Sequence, residues 1–380
     1  MFLMKCALTS LFSLLALGAC KTVPDFTAHL PENSPVLIRL EPGEPIPNFS
    51  RQWEDREELL VALNQSLVWL RRNYAKQFFP QAGITHESAL ESLERFGQIL
   101  RTTYGPEDFQ KAVEDEFQLY KSAGWDGRGG GVLFTGYCTP ILKGSRQQSE
   151  TYRFPLYSLP PDLVKGPGGS IVGWQTNFGL QPQYPSRTAI EASGMLKGLE
   201  LIWLADPIDS YIAHVNGSAY VELKDGSMLR FGYAGKNGRA YTSLAKELVA
   251  GGRIEAASLK AIRNWAGEAS DEEVCDYLNR NASYVFFTPI EGTPHGSLDV
   301  PVTPGRTVAT DKSLFPRGAL VFVEGPSEER ALNRLLFDQD TGGAIRTAGR
   351  ADIYTGIGPD AEKTAGEMKV VGQMYYLFLK

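Results

Sequence analysis

The sequence is poor in the residues that several large protein classes require. Its 380 residues include only four cysteines and four histidines, too few for a disulfide-rich scaffold. The histidines are scattered, without the paired spacing of metal ligands; they are His29, His86, His214 and His295. No Lys-Ser or Lys-Thr pair follows the glycine run at 127–131, which excludes a phosphate loop there. We therefore expect neither a metal site nor another cofactor.

Clustered basic residues are also missing. The chain has 38 Lys and Arg against 44 Asp and Glu, a formal charge of −6, and no basic run. Because nucleic-acid phosphates are bound by clustered Lys and Arg, this composition excludes nucleic acid as a partner. With 43% hydrophobic and 22% charged residues, the composition is that of a folded globular protein, and the length favours two domains.

No hydrophobic run is long enough to cross a bilayer. The apolar stretch from Cys6 to Ala19 follows Lys5 and predicts a secretory signal peptide over residues 1–19. It ends in Leu17-Gly18-Ala19-Cys20, which resembles a bacterial lipobox and implies that Cys20 is acylated; a chance cysteine after an ordinary signal peptide is the alternative. Lys21 at the next position implies an outer-membrane lipoprotein that faces the periplasm.

The two remaining cysteines, Cys138 and Cys275, would then lie in an oxidising compartment. One disulfide between them and two free thiols are both compatible with the sequence.

The chain changes character along its length. Residues 20–51 are rich in Pro, Asn and Glu, which predicts a tether. Apolar residues then recur at helical spacing in three segments, centred on Leu63, Leu93 and Val113; Pro106 opens the third helix and Gly124 closes it.

Short strands separated by turns follow the glycine run. Asp225-Gly226 lies between two apolar segments and predicts a β-hairpin, and a helical interlude is expected near 244–265. Because helices and strands do not alternate regularly, we predict an α+β fold, mainly β, and not a doubly wound sheet.

Three aspartates stand at the edges of apolar runs in the last part of the chain: Asp311, Asp340 and Asp352. Partial burial there would raise their pKa values and make a protonated carboxyl available as a general acid. The alternative is that these residues only close turns through their side chains. Asp340-Thr341-Gly342 also matches the motif of aspartic proteases, but the second copy that such enzymes need is absent from the sequence.

Several motifs in order resemble the membrane-bound lytic murein transglycosylase A family, from about Phe134 to the C-terminus. They are Phe134-Thr135-Gly136-Tyr137, Tyr152-Arg153-Phe154-Pro155-Leu156-Tyr157, Trp203-Leu204-Ala205-Asp206-Pro207, Gly232-Tyr233-Ala234-Gly235-Lys236-Asn237-Gly238 and Asp340-Thr341-Gly342-Gly343-Ala344-Ile345 with Asp352-Ile353-Tyr354. The last block is similar to the three-aspartate domain of that family. Cys138 and Asn216 depart from the family pattern.

The resemblance implies a six-stranded double-psi β-barrel domain from residues 52–137 and 284–380, including the N-terminal helices. It implies a second, β-rich domain inserted at 138–283, with a groove between the two for peptidoglycan glycan strands.

The resemblance also implies an activity: non-hydrolytic cleavage of the β-1,4 bond between N-acetylmuramic acid and N-acetylglucosamine, which leaves a 1,6-anhydro sugar. Asp352 corresponds to the catalytic acid, with Asp340 and Asp311 as supporting carboxylates. Positions expected to bind the sugars through hydroxyl groups, amides or aromatic faces are Thr135, Gly136, Tyr137, Tyr233, Asn237, Tyr241, Ser243 and Tyr354. For the four tyrosines, core packing is the alternative role.

Two other functions remain open from the sequence. One is a non-catalytic lipoprotein that binds peptidoglycan, and the less favoured one is an aspartic-type protease. Protein partners in the cell-wall machinery are left open.

Overall fold

The computed structural model describes residues 23–166, 169–326, 332–343 and 345–380. The predicted signal peptide (1–19), the lipidation site Cys20 and the first residues of the predicted tether therefore lie outside the described residues. In the ranges that are described, no helix combines the length and apolar character needed to span a bilayer.

The α-helices of these ranges lie in three groups: before the barrel strands, within the central β-rich region, and near the C-terminus. Their bounds are α1 (Arg56–Leu70), α2 (His86–Thr102), α3 (Pro106–Glu116), α4 (Arg187–Ser193), α5 (Pro207–Asn216), α6 (Leu244–Ala250), α7 (Leu259–Glu268), α8 (Asp271–Asn279) and α9 (Pro359–Glu367).

The three predicted N-terminal helices are found, with one correction. The third helix ends at Glu116, and Phe117–Ser122 is a β-strand, not the last turns of a helix. Phe117 and Leu119 are buried, so this segment follows a period of two and pairs along both edges. Helical spacing of the apolar residues predicted the wrong element there because tertiary pairing overrides local propensity.

The strands form three sheets. Their bounds are β1 (Leu37–Arg39), β2 (Phe117–Ser122), β3 (Val132–Thr139), β4 (Ile141–Ser145), β5 (Phe154–Tyr157), β6 (Leu163–Lys165), β7 (Ile171–Thr176), β8 (Gly179–Pro182), β9 (Glu200–Leu204), β10 (Ala219–Glu222), β11 (Met228–Lys236), β12 (Val285–Pro289), β13 (Thr307–Ala309), β14 (Leu320–Glu324), β15 (Arg334–Asp340), β16 (Arg350–Ile357) and β17 (Lys369–Leu379).

Six strands of the largest sheet close into a barrel, in the order β17-β14-β15-β13-β16-β3 and back to β17. Two of the pairings are parallel, β13 with β15 and β16 with β3. β1 and β2 extend the sheet outward from β17. The predicted fold class, a mainly β α+β chain with a six-stranded barrel, is confirmed.

β17 closes the barrel by changing partners along its length. Lys369–Gly372 pair with β3, and Gln373–Tyr376 pair with β14. Gly372 lies at the change, where an added Cβ would overlap the carbonyl group of Glu324. Barrel closure therefore depends on a residue without a side chain at this position.

The inserted region builds the other two sheets together with β12, which begins two residues after the predicted boundary at 283. Six strands pair in the order β12-β11-β10-β4-β9-β5, and a bridge between Ser158 and Phe287 brings the two edges together. β10 and β11 form the predicted hairpin around Asp225-Gly226. A smaller sheet consists of β6, β7 and β8.

The described part of the predicted tether packs against the barrel. Leu37–Arg39 form β1 along β2, the Thr347 hydroxyl donates to the Phe26 carbonyl at 2.6 Å, and the Phe26 ring meets Trp125 edge to face.

Gly372→Ala tests the closure of the barrel. Because the new methyl group would overlap the backbone of β14, we expect the free energy of unfolding to fall by roughly 1–3 kcal/mol, measured by urea denaturation. Gly366→Ala is the control, since an added Cβ at that α9 position meets nothing within 4 Å. Equal stability of the two variants would contradict this account of the closure.

Candidate active site

Asp352 is placed by the parallel pairing of β16 with β3, in which it stands opposite Thr135. The Thr135 hydroxyl donates a hydrogen bond to Oδ1 of Asp352. Nη2 of Arg350 donates to the same hydroxyl oxygen at 3.2 Å and lies 3.7 Å from Oδ1 of Asp352. Among the described residues, the hydrogen bond and the ion pair of the Asp352 carboxyl are both made through Oδ1, which leaves Oδ2 without such a partner.

The surroundings of Asp352 favour its protonated form. Burial raises the pKa of this carboxyl, while the Thr135 hydrogen bond and the Arg350 charge oppose that rise, and the nearby Asp340 adds to it. Its side chain is still 21% exposed. A carboxyl that keeps its proton beside solvent can act as a general acid.

Asp340, at the end of β15, has a different set of partners. Its oxygens accept hydrogen bonds from the Tyr137 hydroxyl at 2.7 Å and from the backbone amides of Ser297 and Thr341, both at 2.8 Å. Burial raises the pKa of Asp340, and these three donors oppose that rise. Three donors and no described acceptor fit a carboxylate that carries negative charge.

The Tyr137 side chain joins Asp340 to a second aromatic residue. Its ring lies 5.2 Å from that of Tyr354, measured between centroids. Tyr354 is only 1% exposed, and its hydroxyl is 3.0 Å from Oγ1 of Thr139. The buried Tyr354 ring therefore packs against the ring of Tyr137, which remains partly exposed.

Asp311 has local partners. Its Oδ1 accepts hydrogen bonds from the amide and the hydroxyl of Ser313, at 3.0 and 2.6 Å, which is the pattern of a turn-closing aspartate. The residue before it, Thr310, donates its amide to the Asp340 carbonyl at 3.1 Å. The turn that holds Asp311 thus adjoins Asp340 through the backbone.

The predicted positions of the inserted region divide into surface and scaffold residues. Tyr233 is 56% exposed, and Tyr241 lies 3.9 Å from a Cβ built on Gly343, beside the Asp340 loop. Ser243 caps α6 by accepting from the Lys246 amide.

Asn237 is only 1% exposed, and its amide bonds the backbone of Pro185, Ala282 and Tyr284. These contacts occupy the side-chain amide of Asn237 and give the residue a scaffold role.

Gly136 serves packing. A Cβ there would lie 2.6 Å from the Cα of Ala365, so the missing side chain lets α9 pack against β3. Cys138 follows the Thr-Gly-Tyr motif and departs from the family pattern. It is buried, and burial raises the pKa of its thiol to about 12. Cys138 and Cys275 are both free thiols, which decides the question left open by the sequence.

Sequence reasoning missed Arg350 and the Ser297 amide. Arg350 and Asp352 are two residues apart on one strand and therefore share a face, a spacing that could have indicated the pair. The Ser297 contact had no sequence signal, because it joins a loop to a strand end far along the chain.

Two cavities, of about 390 and 330 Å³, lie in the inserted region, one beside Arg230 and the other beside Arg263. Neither is lined by Asp340 or Asp352. No group of three or more His, Cys, Asp and Glu placed to hold a metal is found within the described ranges.

A closed β-barrel that presents one open, protonatable carboxyl beside a donor-held carboxylate defines a protein suited to general acid chemistry. Comparison with known families adds two matches: residues 133–288 match the MltA specific insert domain, and residues 306–378 match the 3D domain.

Relatives agree with these matches. Membrane-bound lytic murein transglycosylase A of Escherichia coli K12 is 34% identical over 259 residues, which cover 65% of this chain and 66% of that protein. A homolog of the same enzyme from Buchnera aphidicola subsp. Schizaphis graminum is 30% identical over 341 residues, 87% of this chain and 84% of the relative. The chain therefore belongs to the membrane-bound lytic murein transglycosylase A family, and the family and enzyme class predicted from the sequence are confirmed.

Solved structures show the same fold. A membrane-bound lytic murein transglycosylase from Agrobacterium tumefaciens has a TM-score of 0.74 and 25% identity, covering 90% of this chain and 97% of its own. E. coli MltA with bound chitohexaose has a TM-score of 0.68 and 26% identity, covering 94% of this chain and 96% of its own.

Arg350→Met tests the electrostatics of the site. Because the guanidinium favours the carboxylate form, its removal should raise the pKa of Asp352, measured by carbon-13 NMR of the aspartate carboxyls with Asp352→Asn for assignment. Arg346→Met removes a solvent-exposed cation from the preceding loop and should leave that titration unchanged. An unchanged pKa of Asp352 in Arg350→Met would show that Arg350 does not tune it.

Proposed function

We propose that this chain is a peptidoglycan lytic transglycosylase that cleaves the β-1,4 bond between N-acetylmuramic acid and N-acetylglucosamine without consuming water. The observation that carries the proposal is the environment of Asp352, a half-buried carboxyl with a raised pKa and, among the described residues, one oxygen without a hydrogen-bond or ion-pair partner. Family membership supports the same reaction.

The reaction needs one carboxyl that acts twice. Oδ2 of protonated Asp352 gives its proton to the glycosidic oxygen as the bond from that oxygen to C1 of the muramyl sugar breaks. The Asp352 carboxylate then takes the proton of the muramyl C6 hydroxyl while O6 bonds to C1. Asp352 is protonated again at the end, and the products are a free 4-hydroxyl and a 1,6-anhydro sugar.

The C6 hydroxyl of the muramyl sugar competes strongly with water as the nucleophile that attacks C1. It is already attached to the ring that it attacks, so its effective concentration is far above that of an external nucleophile. Ordinary glycosidases need a second carboxylate to activate water or to form a covalent bond. In this site the second carboxylate, Asp340, is occupied by Tyr137, Ser297 and Thr341.

Asp340 has an electrostatic role in this proposal. A fixed negative charge near the reaction centre stabilises the positive charge that develops on the muramyl ring as the bond breaks. Thr135 and Arg350 stabilise the Asp352 carboxylate between the two proton transfers, because both contact its Oδ1 region. Asp311 supports the turn beside Asp340.

The glycan strand is proposed to lie between the barrel domain (52–137 and 284–380) and the inserted domain (138–283). The family matches at 133–288 and 306–378 support this division. Tyr137, Tyr233 and Tyr241 offer aromatic faces and hydroxyl groups to sugars from the two sides. The chitohexaose bound to E. coli MltA supports a glycan-strand substrate.

Asp352→Asn is the direct test of the catalytic acid. An amide cannot deliver the proton, so we expect kcat on purified peptidoglycan to fall by roughly 10²–10⁴-fold while binding to insoluble peptidoglycan is kept. Mass spectrometry of the fragments identifies the products, and Asp360→Asn, an exposed carboxyl on α9, is the control that should retain activity.

Three results would overturn the proposal. Fragments that carry an added water would indicate a hydrolase, and binding without release by the wild-type protein would indicate a glycan-binding lipoprotein. Full activity of Asp352→Asn would remove Asp352 from the mechanism.

We also propose that Cys20 is acylated and anchors the protein in the outer membrane, facing the periplasm. The lipobox-like Leu17-Gly18-Ala19-Cys20 and Lys21 support this, as do the membrane-bound relatives. A lipid anchor would keep the barrel close to the membrane, because the chain soon joins it at Phe26.

Cys20→Ala should move the protein from the membrane fraction to the soluble fraction, measured by immunoblot after fractionation of cells. Lys21→Asp should instead move it to the inner membrane, since the residue after the acylated cysteine directs sorting. Membrane retention of Cys20→Ala would contradict the anchor.

A further inference from the structure

A buried ion pair lies in the barrel and has no part in the mechanism above. Nζ of Lys312 contacts Oδ1 of Asp338; the lysine is 6% exposed and the aspartate 0%. Replacing a buried pair by apolar residues is often neutral or stabilising, so stability alone is a weak reason to keep one. Its position suggests another role.

Two hydroxyl groups complete the cluster. Asp338 accepts hydrogen bonds from Oγ1 of Thr310 at 2.8 Å and from the Tyr376 hydroxyl at 2.7 Å. Lys312 also donates to Oγ1 of Thr310 at 3.2 Å and to the Asp338 carbonyl at 3.3 Å. The Tyr376 ring is stacked on Phe315, with 5.2 Å between centroids. The cluster is therefore rigid and well satisfied.

The cluster lies next to Asp340. Gln339 donates to the Ala62 carbonyl of α1 at 2.7 Å. Asp338 and Asp340 flank Gln339 on β15, where they pair with the neighbouring residues Val308 and Ala309 across a register shift. Thr310 donates its amide to the Asp340 carbonyl at 3.1 Å and accepts from the Thr341 hydroxyl at 2.8 Å through its own carbonyl. Thr310 thus connects the ion pair to the Asp340 backbone carbonyl and to the side chain of the next residue, Thr341.

The Lys312 ammonium also acts on Asp340 by its charge. It opposes the rise in the Asp340 pKa that burial causes. The charged groups that act on Lys312 are Asp338, Asp340 and Arg317. Arg317 is in turn acted on by Asp338 and Asp311. Burial lowers the pKa of Lys312, while Asp338 and Asp340 oppose that loss of charge.

We propose that Lys312 and Asp338 are positioning residues that keep the Asp340 carboxylate ionised and aimed at the reaction centre. The inference rests on the proposed function, in which Asp340 stabilises positive charge on the sugar. Lys312 supplies the cation, and Asp338 fixes it and binds Thr310. Neither residue was singled out in the sequence.

The test is the double variant Lys312→Met with Asp338→Asn. It removes both charges together, and the asparagine oxygen still accepts from Thr310 and Tyr376, so no buried charge is left unpaired. Without the ammonium, Asp340 should hold its proton to higher pH. Loss of the Asp338 charge acts in the opposite direction but less strongly, because Lys312 and not Asp338 is among the main influences on the Asp340 pKa. The acid limb of the kcat profile should therefore move to higher pH, with a tenfold loss of kcat on that limb for each pH unit of movement.

A second background ties the effect to Asp340. In an Asp340→Asn protein the acid limb that Asp340 causes should be absent, so the same pair of substitutions should not move the pH profile that remains. An acid limb that moves equally in both backgrounds would overturn the inference.

A readout independent of activity separates this inference from the proposed function. Carbon-13 NMR should show Asp340 titrating at higher pH in the double variant than in the wild type, even if no anhydro sugar is ever formed. An unchanged Asp340 titration, with only a lower melting temperature, would make the pair purely structural.

Lys312→Gln provides the same comparison if the double variant does not fold. It removes the ammonium and keeps a donor for Asp338, so Asp340 should again titrate at higher pH than in the wild type. An unchanged titration would overturn the inference here as well.

Discussion

The parallel pairing of β16 with β3 is the constraint on which the site depends. It sets Asp352 opposite Thr135 and, two residues later, Tyr354 opposite Tyr137. Side chains alternate between the faces of a strand, so a slip of one residue would turn Asp352 away from its hydroxyl partner. β16 is held on its other edge by β13, and the barrel closes through β17, so such a slip would disturb the whole ring. The closed barrel therefore fixes the position of the Asp352 carboxyl.

In the proposed mechanism two partly buried acids, Asp340 and Asp352, serve different purposes because their partners differ. Both lie in surroundings that raise the carboxyl pKa. Asp340 is surrounded by hydrogen-bond donors, which suit the charged form, whereas Asp352 accepts from one hydroxyl and, among the described residues, has one oxygen without such a partner. A protonated acid and a fixed carboxylate can therefore stand close together without sharing one role.

Much of this arrangement could be predicted from the sequence, and the rest depends on contacts between distant segments. The apolar runs around Asp340 and Asp352 indicated buried strands with acids at their edges, and the family motifs supplied the barrel. The end of α3 could not be placed from spacing, because Phe117 and Leu119 fit a strand only once β17 lies beside them. α5 had a visible signal in Asp206-Pro207, since Asp206 caps the helix and the proline occupies its first turn. The contacts of Arg350 and of the Lys312–Asp338 pair form only when the barrel closes. Local sequence therefore could not predict them.

The central claim is that the sugar, and not water, attacks C1 after Asp352 has protonated the leaving oxygen. Digestion of peptidoglycan by the wild-type protein in water enriched in oxygen-18 tests it most directly. The account predicts muramyl ends that contain no heavy oxygen, because O6 of the same ring closes the bond. Incorporation of one heavy oxygen at C1 of the released muramyl ends would contradict it.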